Sequence, residues 1–316
     1  MAPAKTAPPM SVLDAVGSTT LVELRRVVPP GCASVLVKLE WENPTGSMKD
    51  RVALALIARA EADGRLKRGA TVVEYTGGST GASLALVCAA KGYRLRIVTS
   101  DAFSREKLDQ MAALGAELVL VPSEGGKTTK ALILGMIEKA RELASEPGTF
   151  WTDQLRNADT ITGYYPLGEE IWRQTGGEVD AFVHSVGTAA SSRGAATILK
   201  GRKPGVRVAS VEPAESPVLS GGQPGPHKIE GIGVGFVPPL WEPSLVDEVI
   251  PIATEDAKEM TRRLAREEGI FAGTSTGANV LAALRVAERL GAGRTVVTLA
   301  ADSGLKYLNT DVYPRT

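Results

Sequence analysis

From Thr71 onward, short apolar runs alternate with longer segments of helical period, and this alternation constrains the fold more than any other feature of the chain. Residues 71–75 predict a strand, 80–91 a helix stopped by Gly92, and 94–99 a strand. A helix over 104–114, a strand over 118–121 and a helix over 127–144 follow. The pattern then resumes with strands at 181–184, 206–211 and 295–299 and helices over 254–268 and 276–290. Alternation of this kind predicts parallel sheets with helices on both faces. Right-handed crossovers bring the strand-to-helix loops to one edge, where ligands bind. The rhythm breaks over 149–159 and restarts, so the simplest arrangement is two α/β domains with a cleft between them.

Composition removes several alternatives. Lys plus Arg equals Asp plus Glu at 36 each, so no global field draws the chain to nucleic acid or anionic lipid. No stretch of about 18 apolar residues is present, which argues against a transmembrane helix. The first ten residues lack an apolar signal-peptide core and read as a flexible tail, so a cytoplasmic chain is expected. Cys32 and Cys88 have neither a disulfide framework nor metal-ligand spacing, and Cys88, inside an apolar run, reads as core. His184 and His227 are too few for a His-rich metal site; His184, on a strand, reads as a satisfied core histidine. No metal is expected.

Four loops carry the residues with chemical potential. In Asn43-Pro44-Thr45-Gly46-Ser47-Met48-Lys49-Asp50-Arg51 a turn leads into a helix whose first residues include Lys49. A lysine there is either solvated or, if buried against the positive end of the helix, a depressed amine able to attack a carbonyl. Thr76-Gly77-Gly78-Ser79-Thr80-Gly81 joins a strand to a helix; it reads equally as an anion-holding loop and as a plain N-cap turn. Gly187-Thr188-Ala189-Ala190-Ser191-Ser192 has the small residues and hydroxyls of a backbone phosphate cradle, without the Lys-Ser/Thr ending of a Walker loop. Gly273-Thr274-Ser275-Thr276-Gly277-Ala278 opens the last long helix, with Ser275 or Thr276 expected to cap it. Gly231-Ile232-Gly233-Val234-Gly235 is glycine-rich but lacks the strand-then-helix flanks of a dinucleotide loop, so a nicotinamide oxidoreductase is disfavoured.

Taken in order, these loops are specific. With Gly17-Ser18-Thr19-Thr20-Leu21-Val22 near the start, Gly168-Glu169-Glu170-Ile171-Trp172 between them and Ser303-Gly304-Leu305-Lys306-Tyr307-Leu308 near the end, the chain resembles cysteine synthase (O-acetylserine sulfhydrylase) and the catalytic core of cystathionine β-synthase over nearly its whole length. The resemblance implies the tryptophan synthase β-like fold of pyridoxal 5′-phosphate enzymes. It implies a larger domain from 1–40 and 150–316 and a smaller one, 41–149, that closes on the substrate carboxylate. Lys49 then matches the Schiff-base lysine, which also moves the substrate α-proton. Gly187, Thr188, Ala189, Ala190 and Ser191 match the phosphate cradle, Ser275 the hydroxyl facing the pyridine nitrogen, and Ser79 the position that reaches the cofactor's ring oxygen. Thr76, Gly77, Gly78, Thr80 and Gly231 match substrate-binding positions, and Gln154 the glutamine that helps grip the carboxylate from the other domain.

A hydroxyl rather than a carboxylate at the pyridine nitrogen weakens the electron sink and favours loss of a β-substituent over transamination. Elimination to an aminoacrylate and attack by sulfide or a thiol, with ping-pong kinetics, is the expected reaction. Two departures bear on it. Ser79 stands where the family carries Asn, with one donor in place of two. Ala189 and Ala190 stand where it carries Gly-Gly, and their methyl groups restrict the backbone. A β-eliminating lyase or a serine/threonine deaminase on the same fold therefore stays open, as does a weakly catalytic scaffold protein, which the retained Lys49, Gln154 and Ser275 disfavour. The resemblance further implies a homodimer. It provides no counterpart of the haem segment or regulatory tail of cystathionine β-synthase, so that regulation is not expected.

Overall fold

The computed structural model describes residues 10–126 and 129–313, and among them ten strands form two sheets. The larger comprises β1 (Leu21–Glu23), β2 (Ser34–Leu39), β7 (Ala181–Ser185), β8 (Arg207–Pro213), β9 (Glu248–Ile252) and β10 (Thr295–Ala300), in the order β1-β2-β10-β7-β8-β9. The smaller comprises β3 (Thr71–Tyr75), β4 (Arg94–Thr99), β5 (Glu117–Leu120) and β6 (Thr149–Trp151), in the order β5-β4-β3-β6. All pairings are parallel except β1 on β2, an antiparallel edge. The helices are α1 (Lys49–Ala62), α2 (Ser79–Lys91), α3 (Arg105–Ala113), α4 (Lys130–Ala144), α5 (Asp159–Thr162), α6 (Tyr165–Gln174), α7 (Ala190–Arg202), α8 (Thr254–Arg263) and α9 (Thr274–Leu290).

The alternating strand–helix architecture is as the sequence predicts, and Gly92 stops α2 in the left-handed conformation at φ +75°. The stretch expected to break the rhythm instead supplies β6, which pairs with β3 and extends the smaller sheet. The helix expected over 254–268 is α-helical only to Arg263; Leu264–Glu268 widens into a π turn. The N-terminal tail (residues 1–9) and the first two residues of the helix expected from 127 lie outside the described residues.

Strand side chains alternate between faces, so each sheet carries two cores. In β7, Ala181 and Val183 join Met260, Val280 and Ala283 of α8 and α9, whereas Phe182 points the other way to Leu167, Ile171 and Leu199 of α6 and α7. Helix α1 belongs to both sheets. Val52 and Leu56 pack beneath the larger one, while Ala53, Ile57 and Ala60 pack with Leu84 and Ile97 in the smaller. Successive residues sit about 100° apart around a helix, so one helix presents two adjoining apolar faces. Leu56 and Ile57 are fully buried, each contributing on the order of 2 kcal/mol relative to exposure. The N-terminus of α1 is thereby fixed between the sheets. Cys88 is buried as expected, its thiol pushed up to about 12 by burial.

Among the described residues no helix is long and apolar enough to cross a membrane.

Candidate active site

Lys49 is the first residue of α1, and the loop before it is laced to the chain leaving β10. Met48 N–H donates to the Ala301 carbonyl (2.9 Å) and Ser303 N–H to the Gly46 carbonyl (3.0 Å). Gly46 has φ +72°, and an added Cβ would also press on Ser303 Cβ at 3.3 Å, so this turn requires glycine. Burial pushes the Lys49 amine down to about 8, against the opposing pull of the Asp302 carboxylate. Lys49 keeps part of its surface open to solvent.

Its two neighbours serve the scaffold. The Asp50 carboxylate accepts from Thr45 N–H (2.8 Å) and the Thr45 hydroxyl (2.5 Å). The Arg51 guanidinium forks onto Glu40 (2.7 and 2.8 Å) and Glu170 (2.7 and 2.8 Å), and Lys38 meets Glu170 at 2.8 Å. Burial raises the Glu170 pKa, but Arg51 and Lys38 outweigh it and hold the carboxyl near 2. Removing one member of such a buried network typically costs about 3–5 kcal/mol, because its partner is left charged and unpaired.

The loop from Thr76 to Gly81 joins β3 to α2. A Cβ on Gly77 would strike the Phe103 ring at 2.2 Å, and one on Gly81 the Met111 sulfur at 2.4 Å; Gly78 has open space. The Thr80 hydroxyl donates to Gln154 Oε1 (2.7 Å), and Gln154 Nε2 donates to the Tyr75 carbonyl (3.3 Å). Gln154 follows β6 and hangs from the smaller sheet beside Thr76, whereas the resemblance had it reaching in from the larger domain. The pairing of β6 with β3 is the cause, and no local signal announces it. Glu74, buried on β3, accepts from Gln154 N–H (3.0 Å), Tyr75 N–H (2.9 Å) and the Thr152 hydroxyl (2.6 Å). Burial nonetheless raises its carboxyl to about 7. Ser79 Oγ accepts from Lys306 Nζ at 3.1 Å, a bond from the C-terminal segment across to α2.

The loop from Gly187 to Ser192 joins β7 to α7. A Cβ on Gly187 would meet the Gly231 carbonyl oxygen at 2.4 Å, so Gly231 lies directly against this loop. Thr188 follows, half-buried. Ala189 takes φ +69°, a conformation that costs an L-residue about 1 kcal/mol; Ala190 is already the first helical residue, so the strain falls on Ala189. Ser191 Oγ lies 2.9 Å from His184 Nε2.

The fourth loop departs from expectation: neither Ser275 nor Thr276 caps α9. The helix begins at Thr274 with Gly273 as N-cap and no capping side chain. Thr274 Oγ1 instead accepts from Glu230 N–H (3.2 Å), tying this loop to the Gly231 segment. Ser275, on the first turn, is buried. Gly273 N–H donates to the Asp302 carbonyl (3.2 Å), and a Cβ there would strike Asp302 Oδ1 at 2.4 Å. The four loops are thus linked into one network through Asp302, Lys306, Glu230 and Gly231.

Several residues of this network carry no local sequence signal. Asp302 is buried, bonded by the Tyr307 hydroxyl at 2.9 Å, with Oδ1 unpartnered and its pKa raised by burial. Lys306 is pushed down by burial, and Lys107 of α3 pairs with Glu230 above the Tyr307 ring. The segment from Ser303 to Leu308 marks the neighbourhood but not these roles. A lone glutamate in the apolar strand Thr71–Tyr75 could have flagged Glu74.

A family model described as pyridoxal-phosphate dependent enzyme matches residues 12–302. A cysteine synthase of Staphylococcus aureus is 44% identical over 305 residues, 96% of this chain and 96% of that protein. Among solved structures, the cysteine synthase of Entamoeba histolytica aligns with a TM-score of 0.92 at 38% identity, covering 100% of this chain and 94% of the other. An O-ureido-L-serine synthase aligns with a TM-score of 0.90 at 39% identity, covering 96% and 95%. Matches of this extent to the family model and to these relatives establish that the chain belongs to the pyridoxal-phosphate dependent enzymes, within the cysteine synthase group.

Proposed function

We propose that the chain catalyses β-replacement on an O-activated serine, O-acetylserine being the first candidate, with sulfide or a thiol as nucleophile. The observation that carries this reading is Lys49: an amine pushed down to about 8 at the start of α1, close enough to interact with Asp302 and His184. The residues present fit the cofactor. The chain offers a depressed lysine amine, a strand-to-helix loop whose Gly187 has no room for a Cβ and whose helix start leaves amides free, and a buried serine on the first turn of α9. Lys49 would hold the carbonyl carbon, Gly187 to Ser191 the phosphate through helix-end amides, and Ser275 the pyridine nitrogen. When bound, pyridoxal phosphate supplies an electron sink that makes the substrate α-proton acidic and the β-substituent a leaving group.

The remaining work falls to side chains. The segment Thr76, Gly77, Gly78 and Thr80, with Gln154 fixed by Glu74, would hold the substrate carboxylate; the Gly78 amide and the Thr80 hydroxyl, bonded to Thr76 and Gln154 within the loop, would turn to it on binding. Gly231 lies against Gly187, and its neighbour Glu230 is tied to the start of α9 through Thr274, so this segment would support both ends of the site. Lys49 Nζ, half-deprotonated near pH 8, is suited to take and return a proton at the substrate α-carbon. Ser275 cannot hold a full negative charge at the ring nitrogen, which limits the sink and favours departure of the β-group. Lys306, bonded to Ser79, brings a cation to the place where Asn is usual. We further propose a division into a larger domain around the six-stranded sheet and a smaller one around the four-stranded sheet. A cytoplasmic homodimer is part of the same proposal; the two free cysteines fit a reducing compartment.

The test is a steady-state assay with O-acetylserine and sulfide. Cysteine formation that disappears in Lys49→Ala, with parallel double-reciprocal lines, is the expected result. Pyruvate and ammonia released without need of sulfide would overturn replacement in favour of elimination.

A further inference from the structure

His184 lies on β7, nearly fully buried, and the reaction as proposed makes no use of it. Its surroundings fix its tautomer. Asn279 Oδ1 accepts from Ser185 N–H at 2.7 Å, so the oxygen end of that amide is assigned by its backbone donor. Asn279 Nδ2 then donates to the Leu299 carbonyl at 2.9 Å and turns its other hydrogen to His184 Nδ1 at 3.4 Å. A ring nitrogen that accepts carries no proton, so the proton of a neutral imidazole sits on Nε2. Nε2 faces Ser191 Oγ at 2.9 Å, and there it must donate. The imidazole also stays neutral: burial pushes its pKa down to about 3, and the nearby Lys49 charge acts in the same direction.

The consequence reaches the cleft. A serine hydroxyl has one hydrogen and two lone pairs. With a lone pair taken by His184, the Ser191 hydrogen is left over, and among the described residues it has no protein acceptor. Ser191 is the second residue of α7, beside the free amides of the helix start. We infer that His184 is a positioning residue of the anion cradle: by donating to Ser191 it commits the serine hydroxyl to act as a donor toward the bound phosphate. This rests on the proposed assignment of the Gly187 to Ser191 loop to the cofactor phosphate. The side-chain donor adds to a cradle that Ala189 and Ala190 have made less pliant than paired glycines.

Two measurements on the full chain test it. The first is 15N NMR of His184, which is expected to show a protonated Nε2 and a bare Nδ1 through the neutral pH range, in apoprotein and holoprotein alike. A proton on Nδ1 overturns the inference without any variant having to fold. The second is the pyridoxal phosphate dissociation constant. Ser191→Ala and His184→Leu should each weaken it about tenfold, the worth of one hydrogen bond to a charged group. His184→Gln, which keeps a donor near the Nε2 position, should stay within about threefold, and the His184→Leu, Ser191→Ala pair should be no weaker than Ser191→Ala alone. If Ser191→Ala weakens binding and His184→Leu does not, the positioning role falls while the phosphate assignment stands. If Ser191→Ala binds as tightly as the parent chain, the phosphate assignment itself falls, and the inference with it.

Discussion

The loop after β3 and the loop after β7 share a plan: a strand end, a glycine with no room for a Cβ, then hydroxyls on the first turn of a helix. They are held by different means. In the first, Thr80 is bonded to Gln154 and Ser79 to Lys306, side chains that arrive from β6 and from the C-terminal segment. In the second, Gly187 rests on the backbone of Gly231, and Ser191 on a histidine anchored in the core. The Ser79–Lys306 bond joins α2 to the segment after β10 of the other sheet, so it can break if the two sheets shift. The contacts of the second loop lie within the larger sheet and its helices and have no such freedom. Under the proposed assignment, the difference suits a site that grips and releases a small carboxylate on one side and retains a phosphate on the other.

Matched glycine substitutions give the largest expected contrast. Gly187→Ala forces a Cβ against a backbone oxygen, and overpacking of about 1–3 kcal/mol should weaken cofactor retention by about ten- to a hundredfold. Gly77→Ala presses on the Phe103 ring at 2.2–2.3 Å, so the ring must be displaced locally beside the β3 loop, and cofactor affinity should change little while KM for the amino acid rises. Equal losses in the two variants would break the comparison; equilibrium titration with pyridoxal phosphate decides it. Next in size, Gln154→Leu removes the partner of Thr80 and should raise KM for the amino acid about tenfold while leaving the cofactor dissociation constant unchanged. A shift in cofactor affinity instead would mean that the two loops are not separable.

Capture of the cofactor should report Lys49 by its pH dependence. The folded amine sits near 8, below an ordinary lysine, so protonation blocks it below that pH and frees it above. Stopped-flow association rates should rise about tenfold per unit as the solution approaches pH 8 and then level off. A flat profile would count against Lys49 as the capturing group. The smallest effect concerns Ala189 at φ +69°. Ala189→Gly should stabilise the apoprotein by up to about 1 kcal/mol, seen as a modest rise in Tm, with the β3 loop and its KM untouched.

Much of this was legible in the sequence where the signal is local. Strand β4 falls where the apolar run places it, and Gly92 ends α2 as a left-handed cap. Lys49 is at the start of α1 because Pro44 and Gly46 close a turn just ahead of it. What could not be read depends on partners far along the chain. β6 is three residues long and is a strand only because β3 lies beside it. Asp302, Lys306 and Glu74 are polar residues made significant by burial among loops that converge only in three dimensions. The expected cap at Ser275 or Thr276 fails because α9 starts at Thr274, its N-cap Gly273 being set by close contact with Asp302. His184 reads correctly as a satisfied core histidine, yet that reading misses the partner it satisfies.

Three lysines, Lys49, Lys107 and Lys306, lie in or against the linked loops, and Lys49 is the one proposed to hold the cofactor. The most direct test is to load the protein with pyridoxal phosphate, reduce it with sodium borohydride, and locate the fixed carbon–nitrogen bond by peptide mass spectrometry. The label is expected on Lys49 alone. A label on Lys306 or Lys107, or a protein that takes up none, would contradict it.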